Sequence, residues 1–454
     1  MSGGRRLRLR ALGAVVAVAA AAALAGCVVP AGGARILVAR FGNGAADPVV
    51  VSLTGLKPGQ DVVLRATATT VAGTWTSRAV YAVPPTGRVE LASQQPIAAP
   101  YVRPDAAALF WSMRGPSLSQ PELERAWAEA PVRVELTAEQ GGARVAAAEL
   151  QRSPLAAQSV ERTVTAADLD PAASAGAASG ADLSGPGPAA PGLSTPEPST
   201  LDPEALQAGT LFTPLPTLVY PHPGVILIDG DDGAASGAFA ARRIAAIGFP
   251  VLVLPAFGPE GQIPGSAALS VEAFDAARAW LARRPGVDPD RIVVYGTGRA
   301  APLALWFAAS EPRTVYGAIA ASGPTAELCA SSSGAPTLLN EGRPVPCASP
   351  NRRIADTPIL PLSRIPGPLL LACGTADELL PSACDWTRAG ADERGVRAAG
   401  ETLIAQGAAH ELSAPPMLPI GLDDLPAATA QATEDARVAF WSRVTALLEG
   451  ATGP

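Results

Sequence analysis

The chain has 454 residues, of which 48% are hydrophobic and 17% are charged. This length suffices for two or three domains, and the apolar content excludes a protein that is disordered throughout. The residues after position 26 carry 30 basic and 41 acidic side chains, a balance that argues against a nucleic-acid partner. Because His222 and His410 are the only two histidines, a multi-histidine metal site is excluded. No cofactor is expected.

Residues 1–26 have the features of a bacterial lipoprotein signal peptide. Four arginines precede an Ala/Val/Leu run at 11–25, which is typical of a signal-peptide core and short for a membrane-spanning helix. The run leads into Leu-Ala-Gly-Cys at 24–27, which resembles a lipobox with Cys27 as the lipidated thiol. The alternative is an ordinary signal peptide followed by an incidental cysteine. We expect an extracytoplasmic protein that is anchored to the bacterial cell membrane by lipid on Cys27.

Four further cysteines remain after lipidation, at Cys329, Cys347, Cys373 and Cys384. In an oxidising compartment, four cysteines form two disulfides with three alternative connectivities. We favour Cys329–Cys347 and Cys373–Cys384, because each of these pairs closes a short local loop. Free buried thiols are the alternative, and none of the four cysteines has metal-ligand spacing.

Residues 35–150 consist of short β-type segments separated by turn sequences. The segments at 48–53, 61–66 and 78–83 are apolar and rich in valine, and Gly/Pro-rich turns lie between them. This spacing predicts a small antiparallel β-sandwich. Residues 168–204 are rich in Pro, Ala, Gly and Ser and cannot bury a core. We interpret them as a flexible linker or a surface insertion.

From residue 209 to 452, apolar runs alternate with helical segments. The predicted strands are 225–228, 251–254, 291–295, 318–321 and 369–372, and the predicted helices are 237–247, 270–284, 300–309 and 434–449. Continuous apolar strands that alternate with helices predict the α/β class, with a mostly parallel sheet covered on both faces. In such a sheet, functional residues gather at the carboxyl ends of the strands.

One strand end has the pattern of a nucleophile elbow. A strand, a sharp turn and a helix meet at residues 293–301, and the small residues Gly296 and Ala300 flank the apex at Gly298. The nucleophile position is therefore occupied by a glycine. Thr297 does not replace it, because bulky residues would then flank the turn. The alternative is a glycine-rich turn without catalytic ancestry.

Two further strand ends supply an acid and a histidine. Asp377 follows the strand at 369–372, and His410 precedes the last helix. Their order after Gly298 is the order of nucleophile, acid and histidine in α/β-hydrolases. Singly, each is equally well a turn or surface residue, but together they predict the α/β-hydrolase fold. His222 is predicted to be a solvent-facing loop residue.

Short segments through both halves match one known family. They are 47–49, 55–58, 63–66, 75–77, 87–91 and 109–113 in the first half, and 209–212, 223–226, 247–249, 377–382 and 407–416 in the second. In these segments the chain resembles the acyl-CoA thioesterase/bile acid-CoA:amino acid N-acyltransferase family, over nearly all of the mature chain except 168–204. The resemblance implies an Ig-like β-sandwich at 35–150 and an α/β-hydrolase domain at 209–452.

The resemblance also implies chemistry. Members of the family hydrolyse acyl-CoA, or pass the acyl group to an amino acid, through a covalent acyl-enzyme. When the roles in the family are transferred to this sequence, Asp377 is the orienting acid and His410 is the general base. The backbone N–H of Arg299, with one from the loop that contains Gly230 and Gly233, would form the oxyanion hole.

The chain departs from the family in its export signal and at its nucleophile position, where the family has Ser or Cys. Three interpretations stay open. The first is an extracytoplasmic hydrolase of acyl thioesters or esters with an impaired or altered mechanism, in which His410 activates a water. The second is a catalytically inactive pseudo-hydrolase that binds an acyl or other apolar ligand at the cell envelope. The third is a structural or protein-interaction role.

Overall fold

The structure is a computed structural model, and it describes most of the chain after residue 32. The described residues are 33–118, 122–123, 125–169, 207–216, 220–229, 237–256, 268–330, 332, 334–395, 400–420 and 425–452. The predicted signal peptide, Cys27 and nearly all of the predicted 168–204 insertion lie outside these ranges. Within them, every helix is too short or too polar to cross a bilayer.

The N-terminal domain is a sandwich of two antiparallel sheets. One sheet has the strand order β1-β2-β5 and the other β4-β3-β6-β7. The strands are β1 Arg35–Arg40, β2 Val49–Thr54, β3 Asp61–Thr70, β4 Gly73–Ala82, β5 Val89–Glu90, β6 Val132–Gln140 and β7 Ala143–Arg152, and a short helix, α1, spans Ala108–Trp111. In β3, β4 and β6, buried positions alternate with more exposed ones. Each of these strands therefore turns one face towards a shared core.

The second domain is built on one eight-stranded sheet in the order β18-β17-β14-β13-β10-β11-β9-β8. Pairing is parallel from β18 to β11 and antiparallel for β9 and β8. The strands are β8 Ser159–Thr165, β9 Gln207–Pro214, β10 His222–Asp229, β11 Val251–Pro255, β13 Val287–Thr297, β14 Gly317–Ala321, β17 Leu369–Gly374 and β18 Gly400–Ala405. A small separate sheet contains β12 Leu269–Ser270, β15 Leu338–Asn340 and β16 Arg343–Pro344.

Helices cover both faces of this sheet. They are α2 Ala166–Leu169, α3 Gly237–Ala246, α4 Val271–Ala282, α5 Ala301–Ser310, α6 Ala383–Arg394 and α7 Ala427–Ala451. Alternate residues of the central strands join two separate cores, one with α4 and α5 and one with α3 and α7. Burial on both faces explains why these strands are uninterrupted apolar runs. The α/β-hydrolase prediction is confirmed in this architecture.

One edge strand of the sheet, β8, was not predicted from the sequence. β8 precedes the predicted insertion, yet it pairs along its length with β9, from Ser159 opposite Pro214 to Thr165 opposite Gln207. A buried Arg242 on α3 binds Glu161 of β8 through two hydrogen bonds of 2.7 and 3.1 Å. The hydrolase sheet thus begins before the Pro/Ala/Gly/Ser-rich segment, not after it.

Helix α7 connects the two domains through a buried glutamine. The Gln431 side chain is 1% exposed, and its Oε1 accepts the backbone N–H groups of Val102 and Arg103, both at 3.0 Å. Its Nε2 donates to the Arg103 carbonyl at 3.2 Å. Nearby, the N–H of Ile420 donates to the Trp111 carbonyl at 3.2 Å. The N-terminal domain therefore packs directly against the segment that follows His410.

Both disulfides have the favoured pairing. Cys329 bonds to Cys347, and Cys373 in β17 bonds to Cys384 at the start of α6. The sequence separations are 18 and 11 residues, so each bond closes a local loop as expected.

Candidate active site

The candidate residues lie just beyond the carboxyl ends of four neighbouring strands. In spatial order, β13, β14, β17 and β18 are followed by Gly298, Ser322, Asp377 and His410. All four strands are parallel, so their carboxyl ends meet at one edge of the sheet. The structure therefore brings Gly298, Asp377 and His410 into one region, as the strand-end argument predicts.

The turn after β13 has the tight geometry of a nucleophile elbow. Gly298 has a φ of +51°, which is the left-handed region that glycine adopts without strain. A Cβ on Gly296 would lie 2.3 Å from the carbonyl oxygen of Ala300, so the flanking position must be glycine. A 3-10 turn at Gly298–Ala300 then leads into α5. The apex is buried and carries no side chain.

Asp377 and His410 form a buried hydrogen-bonded pair. The exposed fractions of the two residues are 4% and 3%, and the Nδ1 atom of His410 lies 2.9 and 2.8 Å from the two carboxylate oxygens of Asp377. Asp377 Oδ1 also accepts the backbone N–H groups of Leu379 and Leu380 at 3.0 and 2.7 Å. These donors compensate the burial of the carboxylate. A carboxylate on Nδ1 fixes the orientation and tautomer of the imidazole, as it does in the acid–histidine pair of a catalytic triad.

The loops that carry the acid and the histidine are joined by backbone contacts. The N–H of Ala376 donates to the Ala408 carbonyl at 2.9 Å, and the hydroxyl of Thr375 accepts the N–H of Gly407 at 2.8 Å. A Cβ on Gly374 would lie 2.2 Å from the Ala408 carbonyl oxygen, so only glycine permits this approach. The Asp377–His410 geometry is therefore set by the backbone as well as by the side chains.

Helix α7 fixes the backbone on both sides of His410. Thr433 accepts the N–H of Ala409 at 2.9 Å. Arg437, which is 2% exposed, donates to the carbonyl and to the carboxylate of Glu411, both at 3.0 Å. Burial raises the pKa of Glu411, and the positive charge of Arg437 opposes this rise. Glu434 accepts the N–H of Met417 at 2.8 Å.

A cavity of about 510 Å³ opens at the same edge of the sheet. Its polar lining comes from Arg299, Ser322, Thr337 and His410, and Gly298 forms part of its floor. The rest is the Cys329 residue and apolar side chains, namely Pro302, Pro324, Leu328, Ala330, Pro350, Leu379 and Leu380. The volume lies within the range of small-molecule sites. The apex and the histidine thus face one mostly apolar chamber.

Some predicted site residues are not placed. Gly230 and Gly233 of the proposed oxyanion loop lie outside the described ranges, as does Cys27. Arg299 follows the apex directly and lines the cavity. The prediction for His222 is wrong, because this residue begins β10 and is half-buried with its ring 5.7 Å from that of Phe249. In the parts of the chain that are described, no cluster of three or more His, Cys, Asp or Glu is placed to hold a metal ion.

Ser322, Thr433 and Arg437 were not predicted from the sequence. Ser322 is a polar residue directly after the predicted strand 318–321, so the strand-end rule that selected Asp377 would also have selected it. Thr433 and Arg437 act through the backbone of the histidine loop, and their spacing on α7 gives no signal of that partner.

A second buried acid, Glu327, hydrogen-bonds to Thr337, which lines the cavity. Glu327 is 6% exposed and hydrogen-bonds through Oε1 to the hydroxyl of Thr337, while its Oε2 has no hydrogen-bond partner. Burial raises the pKa of Glu327 to about 7. The folded protein therefore holds a proton on this carboxyl at pH values where the unfolded chain has released it.

We expect this acid to make the protein less stable as the pH rises. Because the folded pKa is above the unfolded one, the contribution of Glu327 to stability is largest below about pH 4.5 and is lost by about pH 7, a change of about 3 kcal/mol. Glu327→Gln, which retains a partner for Thr337, should lose this part of the pH dependence. Thermal unfolding from pH 4.5 to 8, with the exposed Glu449→Gln as control, measures it. Identical pH profiles for the two variants would contradict the assignment.

A comparison with protein families finds a match in the first part of the chain. Residues 46–171 match the family described as acyl-CoA thioester hydrolase/BAAT N-terminal region. No curated protein matches the chain.

Several solved structures are similar to about half of the chain. A hypothetical protein from Pseudomonas aeruginosa is 18% identical over 54% of this chain and 88% of its own, with a TM-score of 0.37. An esterase from Pyrobaculum calidifontis is 18% identical over 54% and 82%, with a TM-score of 0.35. A dienelactone hydrolase-like promiscuous phosphotriesterase from metagenomic libraries is 18% identical over 54% and 92%, with a TM-score of 0.34.

The sheet order and the buried acid–histidine pair define the second domain as an α/β-hydrolase fold. The first domain is similar to the N-terminal region of acyl-CoA thioester hydrolases and BAAT proteins.

Proposed function

We propose that this chain hydrolyses acyl thioesters or esters by direct attack of a water that His410 activates, without a covalent acyl-enzyme. The observation that carries the proposal is the buried Asp377–His410 pair, which borders the same cavity as a nucleophile elbow without a nucleophile. A buried carboxylate that is hydrogen-bonded to a buried imidazole serves base catalysis directly. The glycine at the apex leaves room for a water where a hydroxyl would otherwise lie.

The reaction proceeds without a covalent bond between the acyl group and the protein. His410 Nε2 accepts a proton from the water, whose oxygen forms a bond to the acyl carbonyl carbon. The imidazolium is stabilised by Asp377, and the oxyanion accepts the backbone N–H of Arg299. Collapse of the tetrahedral intermediate breaks the C–S or C–O bond, and His410 returns the proton to the leaving thiolate or alkoxide. The products are a carboxylic acid and a free thiol or alcohol.

The proposed setting is the outer side of the cytoplasmic membrane, with lipid on Cys27 as the anchor. Support comes from the basic, apolar and lipobox-like sequence of residues 1–27 and from the two disulfides, which persist in oxidising compartments. The partners would be the membrane and a small acyl thioester or ester, without nucleic acid. Cytoplasmic acyl-CoA is not available there, so the thiol carrier would be a different one.

A second candidate function is ligand binding by an inactive hydrolase. The missing nucleophile at Gly298 and the mostly apolar lining of the cavity favour it. In that case, the cavity holds an acyl or other apolar ligand and the Asp377–His410 pair only maintains the loop structure.

Hydrolysis of a panel of acyl thioesters and p-nitrophenyl esters by residues 28–454 distinguishes the two. We expect turnover that falls roughly 10²- to 10⁴-fold in His410→Ala and in Asp377→Ala. His222→Gln changes the second histidine, which lies outside the cavity, and should retain full turnover. Absent turnover, or turnover that is equal in all three variants, would reject the hydrolase and leave the ligand-binding function.

A further inference from the structure

Ser322 lies between the elbow and the histidine. Thr297 of β13 pairs with Ala321 of β14, so the residues that follow them, Gly298 and Ser322, are neighbours across adjacent strands. The Ser322 hydroxyl donates to the carbonyl oxygen of His410 at 2.9 Å. The residue is 1% exposed and lines the cavity.

The backbone of this turn is unfavourable for serine. Ser322 has a φ of +52°, in the left-handed region where glycine alone is free of strain. The next residue is pressed against the apex, since a Cβ on Gly323 would lie 2.2 Å from the carbonyl oxygen of Gly298. A glycine at 322 would relieve the strain and avoid burial of a hydroxyl. Strained residues at such positions point to a function of the side chain.

The hydrogen-bond capacity of the hydroxyl limits that function. A serine hydroxyl has one donor and two acceptor lone pairs. Its donor is committed to the His410 carbonyl, so towards the cavity Ser322 Oγ acts only as an acceptor. In this state it does not pass a proton to His410 Nε2, which argues against a role as a substitute nucleophile. Ser322 Oγ is suited to accept a hydrogen bond from a water O–H.

We propose that Ser322 holds the nucleophilic water of the reaction, an inference that rests on the proposed function. The water donates one O–H to Ser322 Oγ and the other to His410 Nε2, and its remaining lone pair points at the acyl carbon above Gly298. When the water attacks, its oxygen bonds to that carbon and its proton passes to His410. Ser322 keeps its own proton throughout, so it acts by orientation alone.

Ser322→Ala in the full mature chain tests this role. One positioned hydrogen bond is worth roughly 10- to 100-fold in rate, so kcat should fall by that factor with KM unchanged. The matched control is Ser77→Ala, because Ser77 is also buried and donates to a backbone carbonyl, that of Leu109 at 2.6 Å, in the other domain. Equal kcat values for the two variants would overturn the proposal.

Ser322→Gly distinguishes a loss of the water-holding role from a loss of stability. Glycine removes the hydroxyl and also relieves the backbone strain, so this variant should unfold at the same or a higher temperature than the wild type while losing the same kcat as Ser322→Ala. A Ser322→Gly variant with full activity would overturn the proposal.

A crystal structure supplies a readout that needs no turnover. We expect a water within hydrogen-bond distance of both Ser322 Oγ and His410 Nε2 in the wild type, and its loss in Ser322→Ala. Absence of this water, or covalent labelling of Ser322 by a fluorophosphonate, would overturn the proposal. A bridging water without His410-dependent turnover would reject the proposed hydrolase, whereas turnover that is insensitive to Ser322 would reject only the water-holding role.

Discussion

A Gly298→Ser variant should react covalently with a fluorophosphonate probe. The left-handed backbone of Gly298 is the conformation of a nucleophile elbow, so a serine there directs its hydroxyl into the cavity that His410 lines. With Asp377 on Nδ1, the imidazole is oriented to accept the serine proton. We expect labelling to rise from none at this position to one equivalent, measured by intact-mass spectrometry. The strained φ should cost about 1–2 kcal/mol of stability.

Two variants control this experiment. Gly298→Ala carries the same backbone strain without a nucleophile and should not be labelled. Gly298→Ser combined with His410→Ala should lose most of the labelling rate, because the proton acceptor is gone. A folded Gly298→Ser variant that stays inert would mean that the site has lost more than its nucleophile.

Replacement of Arg437 should lower the free energy of unfolding by more than the other substitutions proposed for this chain. Arg437 is 2% exposed and donates to the carboxylate and carbonyl of Glu411 and to the carbonyl of Leu418. Arg437→Met keeps much of the side-chain volume, removes these three hydrogen bonds and leaves the Glu411 carboxylate without its cation. Breaking a buried ion pair in this way costs about 3–5 kcal/mol. Urea unfolding at pH 7 measures the loss.

The same helix provides the matched control. Arg443 pairs with Glu401 at 3.2 Å on the surface, with side chains 36% and 60% exposed, and Arg443→Met should cost less than about 1 kcal/mol. Adding Glu411→Gln to Arg437→Met should recover part of the loss, since the Glu411 carboxylate is then no longer buried without its partner. Equal effects of the two arginine substitutions would show that burial of Arg437 is energetically unimportant.

The α/β-hydrolase fold and the three-residue site were predictable for a definite reason. Buried parallel strands must be apolar on both faces, so residues 225–228 or 369–372 have a composition that turns and amphipathic strands do not share. Strand-end placement then selected Gly298, Asp377 and His410 without any knowledge of contacts. Glycines at 296 and 374 mark close backbone approaches, which explains why small residues are needed there.

Other parts of the architecture have no recognisable pattern in the sequence. β8 has an edge position with mostly exposed residues, so its sequence lacks the apolar run that marked the central strands. The role of Ser322 depends on register between two strands and on the carbonyl of a residue 88 positions away. Thr433 and Arg437 recognise backbone groups of the histidine loop, and such partners have no side-chain pattern to detect.

The Gln431 contact has a consequence for exchange of domains between relatives. All three groups that Gln431 binds are backbone atoms of residues 102 and 103, so the contact depends on the path of that loop and not on its side chains. A sandwich of divergent sequence should therefore dock on the same hydrolase domain if its loop follows the same course. A working chimera would need its junction before Ser159, since a crossover between Ser159 and Pro214 divides the β8–β9 pair between two parents.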